Sequence, residues 1–338
     1  MEKQWNGKVG NLMIVQSNRK AWVDGLRALA MLFVIFGHQV HGMTPYYVFT
    51  SPIKIPLFFM ITGYVFNDGR TSSRDFFKNL FLKLVIPWLC LTLPFIIIKI
   101  PFRGINFFVD ESYKLISGKT AWYMPCCIIA EIIWFYIRKF FRKTSLTSLI
   151  VLFIFTLGVI FVKIDILNFA MINRAMLMQL FVLAGYLYRE NEEKILRISW
   201  IAIFALFFVY IAMGFVSLKI WPTDRIDVHM NQYYNWPYCF AMMLLGCFMV
   251  FIFADKLNKT PYVLRFIGQN TLVYYLLNTY GIKAGVRVLS LVKISIPKSI
   301  GGACIKTLIA CITCAVAAIV INNFLPEIVG KKRKRTTS

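Results

Sequence analysis

Acidic side chains are scarce: 15 Asp and Glu stand against 38 Lys and Arg in 338 residues. Charged residues of both signs make up only 16% of the chain, where a soluble domain carries about 25%. Mean hydropathy is +0.65 and 59% of residues are hydrophobic. That combination excludes an ordinary soluble domain and predicts a polytopic membrane protein. The net charge of +23 does not point to nucleic acid, because the basic residues lie between apolar spans and not in one patch. Met1 to Lys20 is polar and basic and lacks the apolar core of a cleaved signal peptide. The eight cysteines show no metal-ligand spacing. Cys311 and Cys314 are three apart, as in redox motifs, but they lie in an apolar segment without a nearby histidine and read as small hydrophobes. No metal is expected. No inverted internal repeat of the transporter kind is visible. No loop is long enough for an appended folded domain.

What the chain does have is apolar segments long enough to span a bilayer. They lie at 22–43, 52–67, 80–100, 122–138, 147–163, 171–188, 198–217, 236–253, 266–282 and 304–325. The expected fold is an all-α bundle of about ten transmembrane helices. Lysine and arginine concentrate in alternate loops and in the run Lys331 to Arg335, so both termini are predicted to be cytoplasmic. The expected organisation is a cytoplasmic segment at 1–21, a transmembrane bundle at 22–326 and a basic cytoplasmic tail at 327–338. The tail reads as a topology anchor beside anionic lipid.

The first apolar segment is unusual because it carries charge. Arg27 and His38 are eleven residues apart, which in an α-helix is about 1100°, or about 20° past three turns. They share one face, roughly 16 Å apart along the axis. Asp24 precedes Arg27 by three residues and His41 follows His38 by three, so all four lie on one stripe. Such a stripe faces protein or a cavity and not lipid. Arg27 is either a snorkelling cation paired to Asp24 or a holder of phosphate arriving from the cytoplasm. His38 is either a packed histidine or a base that takes a proton from a hydroxyl. His41 either relays protons or ends the helix.

Other polar groups within apolar segments are Glu131 and Arg174. Glu131 is a functional carboxylate or half of an ion pair. Arg174 is a group facing an outer ligand or a snorkelling cation. His229 lies in a loop with Asp224, Arg225, Asp227 and Tyr233, a solvated loop or a binding rim. Pro56 and Gly63 can open or bend the second segment.

The residues Asp24-Gly-Leu-Arg27 through Gly37-His38, then Pro56-Leu-Phe-Phe59 and Thr62-Gly63-Tyr64, resemble the acyltransferase-3 family of membrane O-acyltransferases. Four later stretches resemble it too. They are Phe76 to Pro87-Trp88, Trp122-Tyr-Met-Pro125, Phe181-Val-Leu-Ala-Gly185-Tyr186 and Ile267-Gly-Gln-Asn270 to Asn278. The last departs from the family's common pattern, with asparagine at Asn278 in place of histidine. Asparagine hydrogen-bonds but takes up no proton at neutral pH. The pattern is most similar to the single-domain branch near fucose 4-O-acetylases and polysaccharide O-acetyltransferases.

The resemblance implies an enzyme of the cytoplasmic membrane that moves an acyl group, usually acetyl, from cytoplasmic acetyl-CoA or another acyl-CoA to a hydroxyl of an extracytoplasmic or lipid-linked cell-surface glycan. By position it implies His38 as the base and Arg27 as a holder of the CoA end. Asp24, His41, Glu131, Arg174 and Tyr64 are the supporting candidates. Candidate oxyanion donors are Lys54, Tyr64, Tyr123 and Arg174. The expected partners are the bilayer, acyl-CoA and a glycan acceptor, with no nucleic acid. The alternatives are a glycan or lipid-linked saccharide transporter and a non-catalytic family member.

Overall fold

The computed structural model describes residues 20–40, 45–66, 72–291, 293, 295–297 and 299–331. The candidate His41 and most of the basic tail lie outside these residues. Of the described residues, 81% are helical and none is in a strand. In chain order the main helices are α1 (Ala21–Gly37), α2 (Pro45–Lys54), α3 (Pro56–Val65) and α4 (Ser73–Leu80). A π turn (Phe81–Val85) joins α4 to α5 (Ile86–Ile97). Next come α6 (Ile105–Ile116), α7 (Tyr123–Phe140), α8 (Thr144–Ile160), α9 (Ile172–Glu190) and α10 (Trp200–Ile220). The last are α11 (Trp236–Leu257), α12 (Tyr262–Gln269), α13 (Thr271–Leu291) and α14 (Ile300–Phe324).

Among the described residues, six helical stretches are long and apolar enough to cross a membrane. They are Pro45–Val65, Ser73–Ile97, Ile166–Glu190, Trp200–Ile220, Trp236–Leu257 and Ile300–Phe324. The other four expected spans coincide with α1, α7, α8 and α13, which are too short, too charged or, in α13, not apolar enough to qualify on those grounds. Apolar side chains on α8, α10 and α14 face outward, among them Phe153, Phe208 and Leu308. Helices that are apolar and yet unburied within the protein fit a lipid surface and no aqueous one.

Several boundaries differ from the sequence reading. The first helix ends at Gly37, and His38 caps it with φ −71° and ψ −16°. The side chain of His38 therefore continues the helical stripe by one position, at the exposed end. The second segment begins earlier and breaks at Ile55, where Pro56 removes the amide that an unbroken helix needs. The ninth breaks at Asn270, between α12 and α13.

The core forms around α1, α3, α9 and α11, and small residues allow the closest approaches. A Cβ on Gly63 would lie 1.8 Å from the Val182 carbonyl oxygen, and one on Gly185 would lie 1.8 Å from the Met60 carbonyl oxygen. The α3 and α9 backbones thus touch through a reciprocal glycine pair, as helices in lipid commonly do. Gly268 of α12 meets the backbone of Asp24 in the same way, at 1.9 Å.

Candidate active site

The Asp24 carboxylate is wholly buried. It accepts a hydrogen bond from Arg27 Nη1 at 3.3 Å and another from Gln269 Nε2 at 3.2 Å. Gly268 places Gln269 there by bringing α12 against the first turn of α1. The ion pair is thereby tied to a residue 245 positions away in sequence. It also fixes the guanidinium in the wall of a large cavity.

That cavity has a volume of about 1020 Å³. Arg27, Lys83, Arg138, Lys139 and Arg142 line it, with Glu131 as the single carboxylate among the described residues. The remaining wall comes from α3, α4 and the π turn, including Thr62, Ser73, Asn79 and Leu84. The last turn of α7 supplies Arg138 and Lys139, at a helix end where cations are favoured. Lys139 donates to Ser73 Oγ at 2.8 Å, bridging α7 to α4. Arg138 packs over the Tyr186 ring at 4.5 Å and donates to Thr147 Oγ1 at 2.8 Å.

A second, narrower chamber of about 170 Å³ shares Arg27, Thr62, Leu84 and Glu131 with the first. Its wall continues along α1 through Met31 and Val34. These are four and seven residues beyond Arg27, so they lie on the same helical face. His38 is the next position of that stripe, one turn past Val34. Ile55, Phe58 and Ile61 face Met31 and Val34 from across the chamber, and Tyr123, Met124, Cys127, Leu272 and Tyr275 complete it. The Tyr123 amide donates to the Tyr275 hydroxyl at 3.2 Å. Cys127 Sγ lies 3.9 Å from Glu131 Oε1.

At the far end, Tyr47 ties the end of α1 to α2. Its hydroxyl donates to the carbonyls of Gly37, at 2.5 Å, and Val40. Lys54 Nζ sits 5.3 Å from the Tyr47 ring centroid, and the Arg225 guanidinium lies 6.0 Å from that centroid. Lys54 stands beside Gly37, 3.5 Å from where a Cβ would be, and its charge reaches the His38 imidazole. Arg225 in turn pairs with Asp227 at 3.3 Å.

The remaining candidates lie elsewhere. Tyr64 is at the opposite end of the bundle. It accepts from Lys20 at 2.6 Å, donates to Glu192 at 3.0 Å and packs against Trp22. Arg174 is buried and grips the 221–235 loop: Nε and Nη2 donate to the His229 carbonyl at 3.0 and 2.9 Å, and Nη1 donates to Asn168 Oδ1. The His229 ring stacks on Trp122 at 5.0 Å. Burial lowers its pKa below the usual imidazole value, with Asp227 opposing and Arg174 adding to the shift. Asn278 is buried on α13 and spends its amide on the carbonyls of Tyr274 and Tyr275. It lines neither cavity.

The Arg174 geometry makes one expectation concrete. Lysine keeps the charge but cannot direct two parallel N–H bonds at one carbonyl. Arg174→Lys is therefore expected to free the 221–235 loop. The check is limited proteolysis, in which the variant should be cut in this loop at least several-fold faster than wild type. Equal cleavage would show that Arg174 does not hold the loop.

Lys83, Arg138, Lys139 and Arg142 are functional candidates that sequence reasoning did not single out: the last three counted only toward topology, and Lys83 only within the family-like stretch Phe76 to Trp88. The available signal was the α7 stripe Met124, Cys127, Glu131, Phe135 and Arg138. Its spacings of three, four, four and three residues place all five on one face.

The geometry is thus a basic inner cavity, a narrow chamber, and a histidine at the end of the same stripe. A profile described as an acyltransferase domain matches residues 20–321. No curated protein and no solved structure matches the chain. The profile spans thirteen of the fourteen helices whole, α14 as far as Ile321, and every residue of the site described above, so the chain belongs to the acyltransferase-3 family of membrane acyltransferases.

Proposed function

We propose that this enzyme takes an acyl group from acyl-CoA at the cytoplasmic face and delivers it to a hydroxyl of an extracytoplasmic or lipid-linked cell-surface glycan. The observation that carries the reading is that the two cavities share Arg27, Thr62, Leu84 and Glu131, and that the narrower one follows the Arg27–Met31–Val34 face toward His38. In this reading the chain makes ten spans in the cytoplasmic membrane with both termini inside. The five cations of the inner cavity hold the CoA phosphates, which a guanidinium binds in bidentate fashion. A pantetheine arm is a flexible chain that fits a narrow passage and carries the thioester toward His38.

The chemistry balances with the residues at that end. His38 takes the proton from the acceptor hydroxyl as its oxygen attacks the thioester carbonyl. The C–O bond forms and the C–S bond breaks. The CoA sulfur then leaves as the thiol, taking the proton from the imidazolium. Of the four candidate oxyanion donors, Lys54 stands at the His38 turn and Tyr123 in the chamber wall, whereas Tyr64 and Arg174 are engaged elsewhere. Lys54 is assigned the oxyanion role, since a positive charge aimed at the developing alkoxide is the largest single stabilising effect open to such a site.

The test uses proteoliposomes that expose only the cytoplasmic face to labelled acetyl-CoA, with cell-envelope glycan as acceptor. Label is expected to move to the glycan. Arg27→Ala is expected to raise KM for acetyl-CoA at least tenfold. If a panel of acyl-CoA donors is untouched by the folded protein, the reading is overturned in favour of a saccharide transporter or a non-catalytic member of the family.

A further inference from the structure

The narrow chamber is about 170 Å³ in volume. An apolar protein cavity of ~150 Å³ holds one benzene, that is, about six carbon atoms. A thioester arriving from the inner cavity must place its sulfur, its carbonyl and the end of the pantetheine arm in this space. Only a few carbons' worth of volume is then left for the acyl chain.

The walls do not yield easily. Met31 and Ile61 are buried on helices of the core, and Met124 is completely buried. Phe58 packs against Tyr123 with the two rings tilted, at 5.5 Å between ring centroids. Tyr123 is itself held by the Tyr275 hydroxyl. Val34 and Ile55 line its outer end, next to the turn that bears His38 and Lys54.

We infer that the chamber between Arg27 and His38 is the acyl-length gauge of the enzyme, and that Met31 and Phe58 set its ceiling at acyl groups of about four carbons or fewer. This inference rests on the acyltransferase reading of the same site. Met31 sits midway along the stripe between the guanidinium and the imidazole, so the acyl-thioester must pass it. Phe58 faces it from α3. Met31 also explains some tolerance at the short end, because an unbranched thioether adapts its shape to a small ligand. Neither residue has a polar group that could take part in the chemistry, so they act on specificity by volume alone.

The experiment compares acetyl-CoA with hexanoyl-CoA as donors for the full-length protein in proteoliposomes. Wild type is expected to transfer acetyl at least tenfold faster, judged by kcat/KM. Met31→Ala and Phe58→Ala are expected to raise the hexanoyl-to-acetyl ratio at least tenfold. Met249→Ala, at a buried position away from both cavities, is expected to leave that ratio unchanged. A gain with the longer donor cannot come from general loss of structure, which lowers both rates. The inference is overturned if wild type uses hexanoyl-CoA as well as acetyl-CoA. It is also overturned if the two truncations leave the ratio where it was. A complete absence of transfer from every donor would overturn the acyltransferase reading itself, and acetyl-CoA transfer without chain-length dependence would overturn only the gauge.

Discussion

Gly63→Ala is expected to leave almost no folded protein in the membrane. The added methyl carbon would lie 1.8 Å from the Val182 carbonyl oxygen, whereas such a contact normally stands at about 3.3 Å or more. The obstacle is backbone and not a movable side chain, so α3 and α9 would have to separate by roughly 1.5 Å to reach that contact distance. Separation would break the reciprocal contact of Gly185 with Met60 and loosen Phe59, Phe181 and Tyr64, all of them buried. Overpacking a core costs about 1–3 kcal/mol where side chains can give way, and here the cost lies at or beyond the top of that range. The measurement is the yield of monodisperse protein after detergent extraction, beside Gly301→Ala, a glycine whose added Cβ would meet only Ser299 Oγ at 3.7 Å. Near-normal yield of Gly63→Ala would mean that the α3–α9 seam is looser than its geometry states.

His38→Ala should do the opposite: keep the fold and lose the activity. The imidazole is at the exposed end of α1 and lines neither cavity. Its removal opens no internal void, so the stability change should stay within the ±0.5 kcal/mol usual for surface positions. General base catalysis is worth about 10²–10⁴ in rate, or about 3–5 kcal/mol of barrier. The expected result is a fall of that size in kcat for acyl transfer, with KM for acetyl-CoA within about threefold of wild type, since Arg27 and the cavity cations are untouched. A variant retaining more than a tenth of wild-type kcat would remove His38 from the chemistry.

The two predictions separate what was legible in the sequence from what was not. The stripe of Asp24, Arg27 and His38 could be read because helical spacing is a property of one segment. The structure places all three on or at the end of one helix, with the cavity wall along the face between them. The family-like motifs could be listed, but their pairing could not. Thr62-Gly63-Tyr64 and Phe181 to Tyr186 are two sides of one backbone contact. Asp24 and Gly268-Gln269 are two sides of another. Such contacts join residues more than 100 positions apart, and no local periodicity carries them. The Arg174 grip on the His229 carbonyl was hidden for the same reason. Pro56 was a legible break, because its missing amide acts locally. Gly63 carried an equally visible signal, yet it serves close approach and not bending.

The π turn at Phe81–Val85 has a consequence for how this chain tolerates change in length. A π turn accommodates roughly one residue more than the α-helical path it replaces, and one residue is about 100° of rotation. Ser73, Phe76, Asn79 and Leu80 before it, and Lys83 and Leu84 within it, line the cavity, while Trp88 and Leu91 of α5 beyond it are buried in a different cluster from Phe76 and Leu80; the extra residue sets the rotation between these two faces. Deleting a single residue here would restore an even helix and swing the α4 side chains away from the cation-lined wall while α5 stayed in place. The helix would survive, with its apolar character intact, and the cavity would lose one side. In this segment length is as strictly constrained as identity, and a gap of one residue is a larger change than most substitutions.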